Sequence, residues 1–252
     1  MKSKYLNLQE EKHNIKCKLY TQDNGATNNI VLFCHGFAGH KDSKAAERLA
    51  NKLISKNKNF ALLAFDFPCH GDDVKKNLNL DDCITYFSIV IDKAKTTLGA
   101  ASLFVNATSF GAFLVLKYIS ENENPFEKIV LRSPAVDMYK VMSSTLITDE
   151  ISEKLKKGKV VPVGFDRKVN IDQQFLDDLQ NTKLLERDFM DYADDMLIIH
   201  GTADELAPFS DAKFLSEENV IDFIPVEGAD HRYKDLKKLE YANAMAVDFY
   251  GL

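Results

Sequence analysis

No run of about 18 apolar residues occurs in the 252-residue chain, so the sequence predicts no membrane-spanning helix. The lysines of the opening MKSKYLNLQE are not followed by an apolar stretch, and no secretory signal is expected. Cysteine is sparse. Cys17, Cys34, Cys69 and Cys83 form no CxxC pair, which leaves no visible zinc or redox motif. Without an export signal they are expected as reduced thiols in a cytoplasmic protein. Basic runs are missing too. The chain has 32 Lys+Arg against 38 Asp+Glu and a net charge of -6, which argues against a nucleic-acid partner. Repeats, low-complexity segments and Pro/Gly/Ser linkers are absent. At 45% hydrophobic and 28% charged, the composition excludes a disordered, collagenous or disulfide-scaffold chain.

What is present is an alternation of short apolar runs with longer amphipathic ones. Ile30–Cys34 and Phe60–Phe65 are continuously apolar, the pattern of strands covered on both faces. Leu103–Val105, Ile129–Leu131 and Met196–Ile199 read the same way, and Val220–Val226 makes a sixth strand. Between them lie helical patterns. One is capped by Ser43, one runs from Leu80 to Leu98 before Gly99, one passes through Leu114 and Ile119, and one closes the chain from Tyr233 to Tyr250. Strand and helix in turn predict an α/β fold with a mostly parallel central sheet and helices on both faces, a single domain over 1–252. One interval breaks the rhythm: Pro134 to Asp195, 62 residues, too long for a structureless loop. It is expected to form a small cap insert of helices and a hairpin, above the carboxyl ends of the strands where ligands of such sheets bind.

Chemistry concentrates at those strand ends. Ala107-Thr108-Ser109-Phe110-Gly111 follows one strand and opens a helix. Small residues on either side of the serine suit a tight nucleophile elbow, and the helix dipole favours negative charge there. A serine nucleophile needs a base, and the base an orienting acid. Asp204, in HGTAD, ends one later strand, and His231, in EGADH, ends the next. This gives the order serine, acid, histidine expected for such a site. Asp230 adjoins His231 in the chain and its side chain is expected to diverge. Asp194 and Asp195 sit at the amino edge of their strand. His200 lies within the acid's own turn and reads as structural, and His13 and His40 lack comparable strand-end context. His35-Gly36-Phe37-Ala38-Gly39 offers a Gly-permitted turn. The N–H groups of Phe37 and Phe110 are the candidate anion-hole donors. Asp66-Phe67-Pro68-Cys69-His70-Gly71 reads as a structural turn near the site.

From Ile30 to the end, the insert apart, these blocks resemble the α/β-hydrolase family. HGFAGHKDS, DFPCHGD, ATSFGA, HGTADELAP and EGADHRY carry the resemblance. It is nearest to the cinnamoyl (feruloyl) esterases and the serine-peptidase-like hydrolases. The chain departs from the family at Ala107, in place of the more frequent first elbow glycine, and at Cys69, where the DxxGxG turn often has glycine. The resemblance implies ester hydrolysis through an acyl-serine, with no metal and no organic cofactor.

The expected function is therefore a serine carboxylesterase acting on small acyl or aryl esters. Ser109, Asp204 and His231 are its catalytic residues, and its partner is a small-molecule ester. One alternative is a peptidase or amidase, which an acidic cap patch such as Asp177-Asp178 or Asp188–Asp195 would favour by gripping a substrate amine. The other is a non-catalytic receptor of the same fold, in which the triad would have decayed. Among the insert's apolar residues, Val160, Val161, Val163, Phe165, Phe175 and Leu176 are expected to divide between an internal core and a face toward Ser109.

Overall fold

The six apolar runs lie side by side in one sheet. The computed structural model describes residues 1–22 and 28–252. In chain order its elements begin with β1 (Lys2–Glu10), β2 (His13–Thr21), β3 (Asn29–Cys34), α1 (Lys44–Lys56) and β4 (Phe60–Phe65). Next come α2 (Leu80–Thr96), β5 (Ser102–Thr108), α3 (Phe110–Glu121) and β6 (Lys128–Arg132). The interval after β6 holds α4 (Met138–Thr145), α5 (Asp149–Lys156), β7 (Val161–Val163), β8 (Val169–Ile171), α6 (Gln173–Asn181) and two 3-10 turns. The chain ends with β9 (Met196–Gly201), α7 (Phe209–Asn219), β10 (Asp222–Val226) and α8 (Leu236–Phe249).

The eight-stranded sheet has the order β1-β2-β4-β3-β5-β6-β9-β10. From β4 to β10 every pairing is parallel, while β1 and β2 join antiparallel. The β1–β2 hairpin has no counterpart among the apolar runs, because β1 is an edge strand with most of its side chains in solvent. Its partner does carry a period-two signal: His13, Ile15, Cys17 and Leu19 are buried in alternation. Helix α7 also escapes the hydrophobic pattern, since only Ala212, Leu215, Ser216 and Asn219 are buried on it. Val220 belongs to neither neighbour. It is exposed, with φ +57, and ends α7 as a left-handed cap.

Side chains alternate between two cores. One face of the sheet packs Ile30, Leu32, Val105 and Leu131 against α2, α3 and the 134–195 interval. The other packs Val31, Phe33, Phe104, Val130 and Ile199 against α1 and α8. All six residues of β4 are buried, and each of its phenylalanine and leucine side chains contributes roughly 1.5–3 kcal/mol relative to exposure. The chain runs outward from β3 to β4 and then returns to the other flank of β3 as β5. The carboxyl ends of β3 and β5 thus flank a switch point, where the loops after them diverge and leave a crevice.

Candidate active site

Ser109 sits between β5 and α3 with φ 53° and ψ −115°, a conformation that costs an L-residue on the order of 1–3 kcal/mol. The surroundings hold it there. Its N–H donates to the Arg132 carbonyl at 3.1 Å, and its carbonyl accepts from Phe113 N–H at 3.0 Å. Gly111 explains how α3 comes so close to β3: a Cβ there would lie 2.5 Å from the Cys34 carbonyl oxygen and 2.6 Å from that of His35. Both obstacles are backbone. Gly111→Ala is therefore expected to lower stability by about 1–3 kcal/mol or more and to spread the elbow. Denaturant unfolding with a parallel activity assay checks this.

The three strand-end residues meet. His231 Nε2 is 3.0 Å from Ser109 Oγ, and His231 Nδ1 is 2.9 and 2.8 Å from the two Asp204 oxygens. Asp204 is fully buried on its side chain. Burial alone would raise its carboxyl pKa. Hydrogen bonds from His200, His231 and the Leu206 N–H outweigh that and hold it well below the usual range. Ala207 N–H also donates to Asp204 Oδ1 at 2.8 Å. His200 makes a closer contribution than a residue of the turn alone: its Nε2 lies 3.2 Å from Asp204 Oδ2 and 3.1 Å from the Ala207 carbonyl. Glu205, which no motif marked, accepts the His231 N–H at 3.2 Å and fixes the histidine loop. Asp230 turns away, accepting from Lys234 N–H at 2.9 Å. Asp195 pairs with Lys128 at 2.8 Å, at the far edge of the sheet. His13 packs edge-on against Tyr86.

The loop after β3 is fixed from below. Gly39 N–H donates to the Gly36 carbonyl at 2.9 Å. His35 Nδ1 lies 2.8 Å from that same carbonyl, while Phe67 N–H donates to His35 Nε2 at 3.3 Å. Burial holds the His35 imidazole well below its ordinary pKa, so the ring is neutral. Lys41 and Asp66, both buried, join the loops after β3 and β4. The Lys41 N–H donates to Asp66 Oδ1 at 2.7 Å, and Nζ reaches Asp66 Oδ2 at 3.0 Å and also Asp72. Lys41→Met leaves the Asp66 carboxylate without its counter-charge, so a loss of about 3–5 kcal/mol is expected. The midpoint of urea unfolding reads it.

Among the described residues, neither Phe37 N–H nor Phe110 N–H donates to a protein group. Phe110 follows Ser109 in the chain, and Phe37 lines the same cavity as the serine. Their rings lie in different surroundings. Phe37 lines the cavity, whereas the Phe110 ring is wholly buried among Phe37, Phe67, His70, Phe113 and Phe175.

A cavity of about 450 Å³ opens at Ser109 and His231. The 134–195 interval contributes Met138, Val141 and Thr145 from α4, Leu146 just after it, and Phe165, Asp166 and Arg167 from the β7–β8 turn. Of the apolar insert residues singled out from the sequence, only Phe165 faces it. Val161, Val163, Phe175 and Leu176 pack into the core instead, and Val160 is exposed. None of Asp177, Asp178 or Asp188–Asp195 lines the cavity. His40, half-buried, does. All four cysteines are free, and burial raises the Cys69 thiol to about 12. Among the described residues no helix is long and apolar enough to cross a membrane.

The fold has counterparts among solved structures. Est1E from Butyrivibrio proteoclasticus, solved with ferulic acid bound, superimposes with a TM-score of 0.79 at 17% identity, covering 98% of this chain and 100% of that one. Mouse alpha/beta hydrolase domain-containing protein 10 gives 0.73 at 13% identity, covering 98% of each chain. The esterase domain of a Rhodothermus marinus protein gives 0.70 at 18%, covering 99% of this chain and 98% of that one. No curated protein matches by sequence. The family model described as serine aminopeptidase, S33, matches residues 25–187, a span that includes the β3 loop and the elbow at Ser109. With the sheet order and the strand-end serine described above, that match makes the chain a member of the serine aminopeptidase S33 family, with the α/β-hydrolase fold.

Proposed function

We propose that the protein is a serine carboxylesterase that cleaves small acyl or aryl esters through an acyl-serine intermediate. The observation that carries the proposal is the unbroken hydrogen-bonded line from Ser109 Oγ through His231 to the buried Asp204. Ser109 attacks the ester carbonyl while His231 Nε2 takes its proton. Asp204 holds the Nδ1–H tautomer and stabilises the imidazolium. The N–H groups of Phe37 and Phe110 receive the tetrahedral oxyanion. His231 then protonates the leaving alcohol, and water, deprotonated by the same imidazole, releases the acid.

The peptidase reading finds less support in the cavity. A site for an N-terminal amine needs a free carboxylate. Among the described residues the one carboxylate in the wall, Asp166, is paired with Arg232 at 3.2 Å. A receptor role is disfavoured by the intact triad, together with the strain retained at Ser109. The test is turnover of p-nitrophenyl acyl esters beside aminoacyl amides, with fluorophosphonate labelling. Rapid ester cleavage and labelling at Ser109 support the proposal. Amide cleavage with esters untouched points to the peptidase, and failure to label points to the receptor.

We further propose that the 134–195 interval acts as a cap that shapes the acyl site. Val141→Ala is expected to change the ratio of kcat/KM between bulky and acetyl esters within the roughly 10–200-fold range of a methylene-sized pocket contact. Val163→Ala, in the core, is expected to lower stability and leave that ratio alone. Kinetics on both esters and a melting curve separate the two.

A further inference from the structure

The cavity reaches past Ser109 to the side of the sheet covered by α1, where Phe33, Ala45, Thr108 and Arg132 line it. Thr108 and Arg132 are register partners on adjacent parallel strands. Partners in register direct their side chains to the same face. By alternation from Val130, that face is the α1 side. Arg132 is only 8% exposed. Its guanidinium lies over the Tyr233 ring at 5.2 Å. The guanidinium has no hydrogen bond or ion pair to any described residue, and its Nε is buried without a partner. The Thr108 hydroxyl beside it is likewise buried and unpartnered.

A buried guanidinium is normally matched by a carboxylate, because its desolvation is otherwise uncompensated. Here none of the described residues supplies one. The other cavity cations do not change the balance. Arg232 is neutralised by Asp166, and Arg167, exposed at the rim, has no ion pair among the described residues. The cavity therefore carries two unpaired positive charges. One of them is buried, on the register partner of the residue that precedes the nucleophile.

We infer that Arg132 and Thr108 form a carboxylate subsite, and that the preferred substrates are esters whose acyl chain ends in a carboxylate, such as half-esters of short dicarboxylic acids. This rests on the esterase reading of Ser109. The guanidinium offers paired N–H donors in the planar fork that a carboxylate accepts, and the Thr108 hydroxyl adds a third. Anchoring the far end of the acyl chain there sets its carbonyl at Ser109.

The kinetic arm compares two esters with five-carbon acyl groups, the 4-nitrophenyl half-ester of glutaric acid and 4-nitrophenyl pentanoate. The wild-type protein is expected to favour the anionic ester by tenfold or more in kcat/KM. Arg132→Gln should erase that preference and keep pentanoate hydrolysis within about threefold. Arg132→Lys should retain part of the preference. Thr108→Val, nearly isosteric, should reduce it and serves if Arg132→Gln does not fold. The binding arm needs no turnover: ligand-observed NMR of glutarate against the wild-type protein and Arg132→Gln, with glutaramide as the neutral control. Glutarate should bind the wild type, and both glutaramide and the variant should give no signal. If no ester is hydrolysed, the esterase reading fails while glutarate binding still decides the subsite. Equal wild-type rates on the two esters, or no glutarate binding, overturn the inference. So does a proportional loss on both esters in Arg132→Gln, which makes the arginine a prop for Tyr233 and the histidine loop.

Discussion

Ser109→Ala is expected to abolish ester turnover, with kcat falling on the order of 10⁶-fold, while the protein stays folded. The loss is large because, in the proposed mechanism, the serine oxygen is the atom that bonds to the acyl carbon, and no neighbouring nucleophile among the described residues replaces it. The free thiols are poor substitutes. Cys34 and Cys83 are fully buried with their pKa values pushed well up by that burial, and Cys69 is held largely protonated. The fold should tolerate the change, since alanine removes one oxygen and leaves the elbow's backbone contacts in place. Ser109→Gly sharpens the test. Relief of a positive φ recovers about 1–3 kcal/mol, against about 0.4–1 kcal/mol for a freer unfolded chain. The glycine variant should therefore melt at or above the alanine variant and be equally inactive. Residual wild-type turnover in pure, folded Ser109→Ala would remove Ser109 from the mechanism.

The sequence made the candidate site's hydrogen-bonded line legible because each of its members ends a strand. Ser109, Asp204 and His231 lie in short motifs whose place in the chain fixes their place in space once the strands are parallel. The supporting residues follow no such rule. His200 is the fifth residue of β9 and Arg132 the last of β6. In the linear chain neither differs from a polar residue at a strand end. Their surroundings, Asp204 for one and the cavity wall for the other, become visible only in three dimensions.

The cavity walls were obscure for a related reason. Hydrophobicity marks burial, not which void a side chain faces. Val161 and Val163, alternating on β7, went into the core, while Met138 and Val141 of the eight-residue α4 went to the cavity. The β1–β2 hairpin was missed because an edge strand keeps one face in water and so lacks a continuous apolar run.

Asp204→Asn is the second large effect, a fall in turnover of about 10⁴-fold. The carboxylate accepts from His231 Nδ1 through both oxygens, which keeps the proton on Nδ1 and leaves Nε2 free to take one from Ser109. An amide can present its NH₂ to Nδ1, and the ring then carries its proton on Nε2, the wrong side for a base. The amide also carries no charge to stabilise the imidazolium. Asp230→Asn, on a side chain occupied by Lys234, is expected to keep turnover within a few-fold of wild type. The two variants should differ in acid stability as well. A carboxyl held below its usual pKa stabilises the fold above about pH 4, the unfolded aspartate value, and that contribution is lost as the pH falls through the lower folded value. Asp204→Asn removes this dependence. Its stability measured against pH from 7 to 2 should fall less steeply than that of the wild type below about pH 4. A large turnover loss in Asp230→Asn with a small one in Asp204→Asn would assign the orienting role to the other aspartate. Comparable losses in both would mean that the histidine loop as a whole, rather than one carboxylate, sets the tautomer.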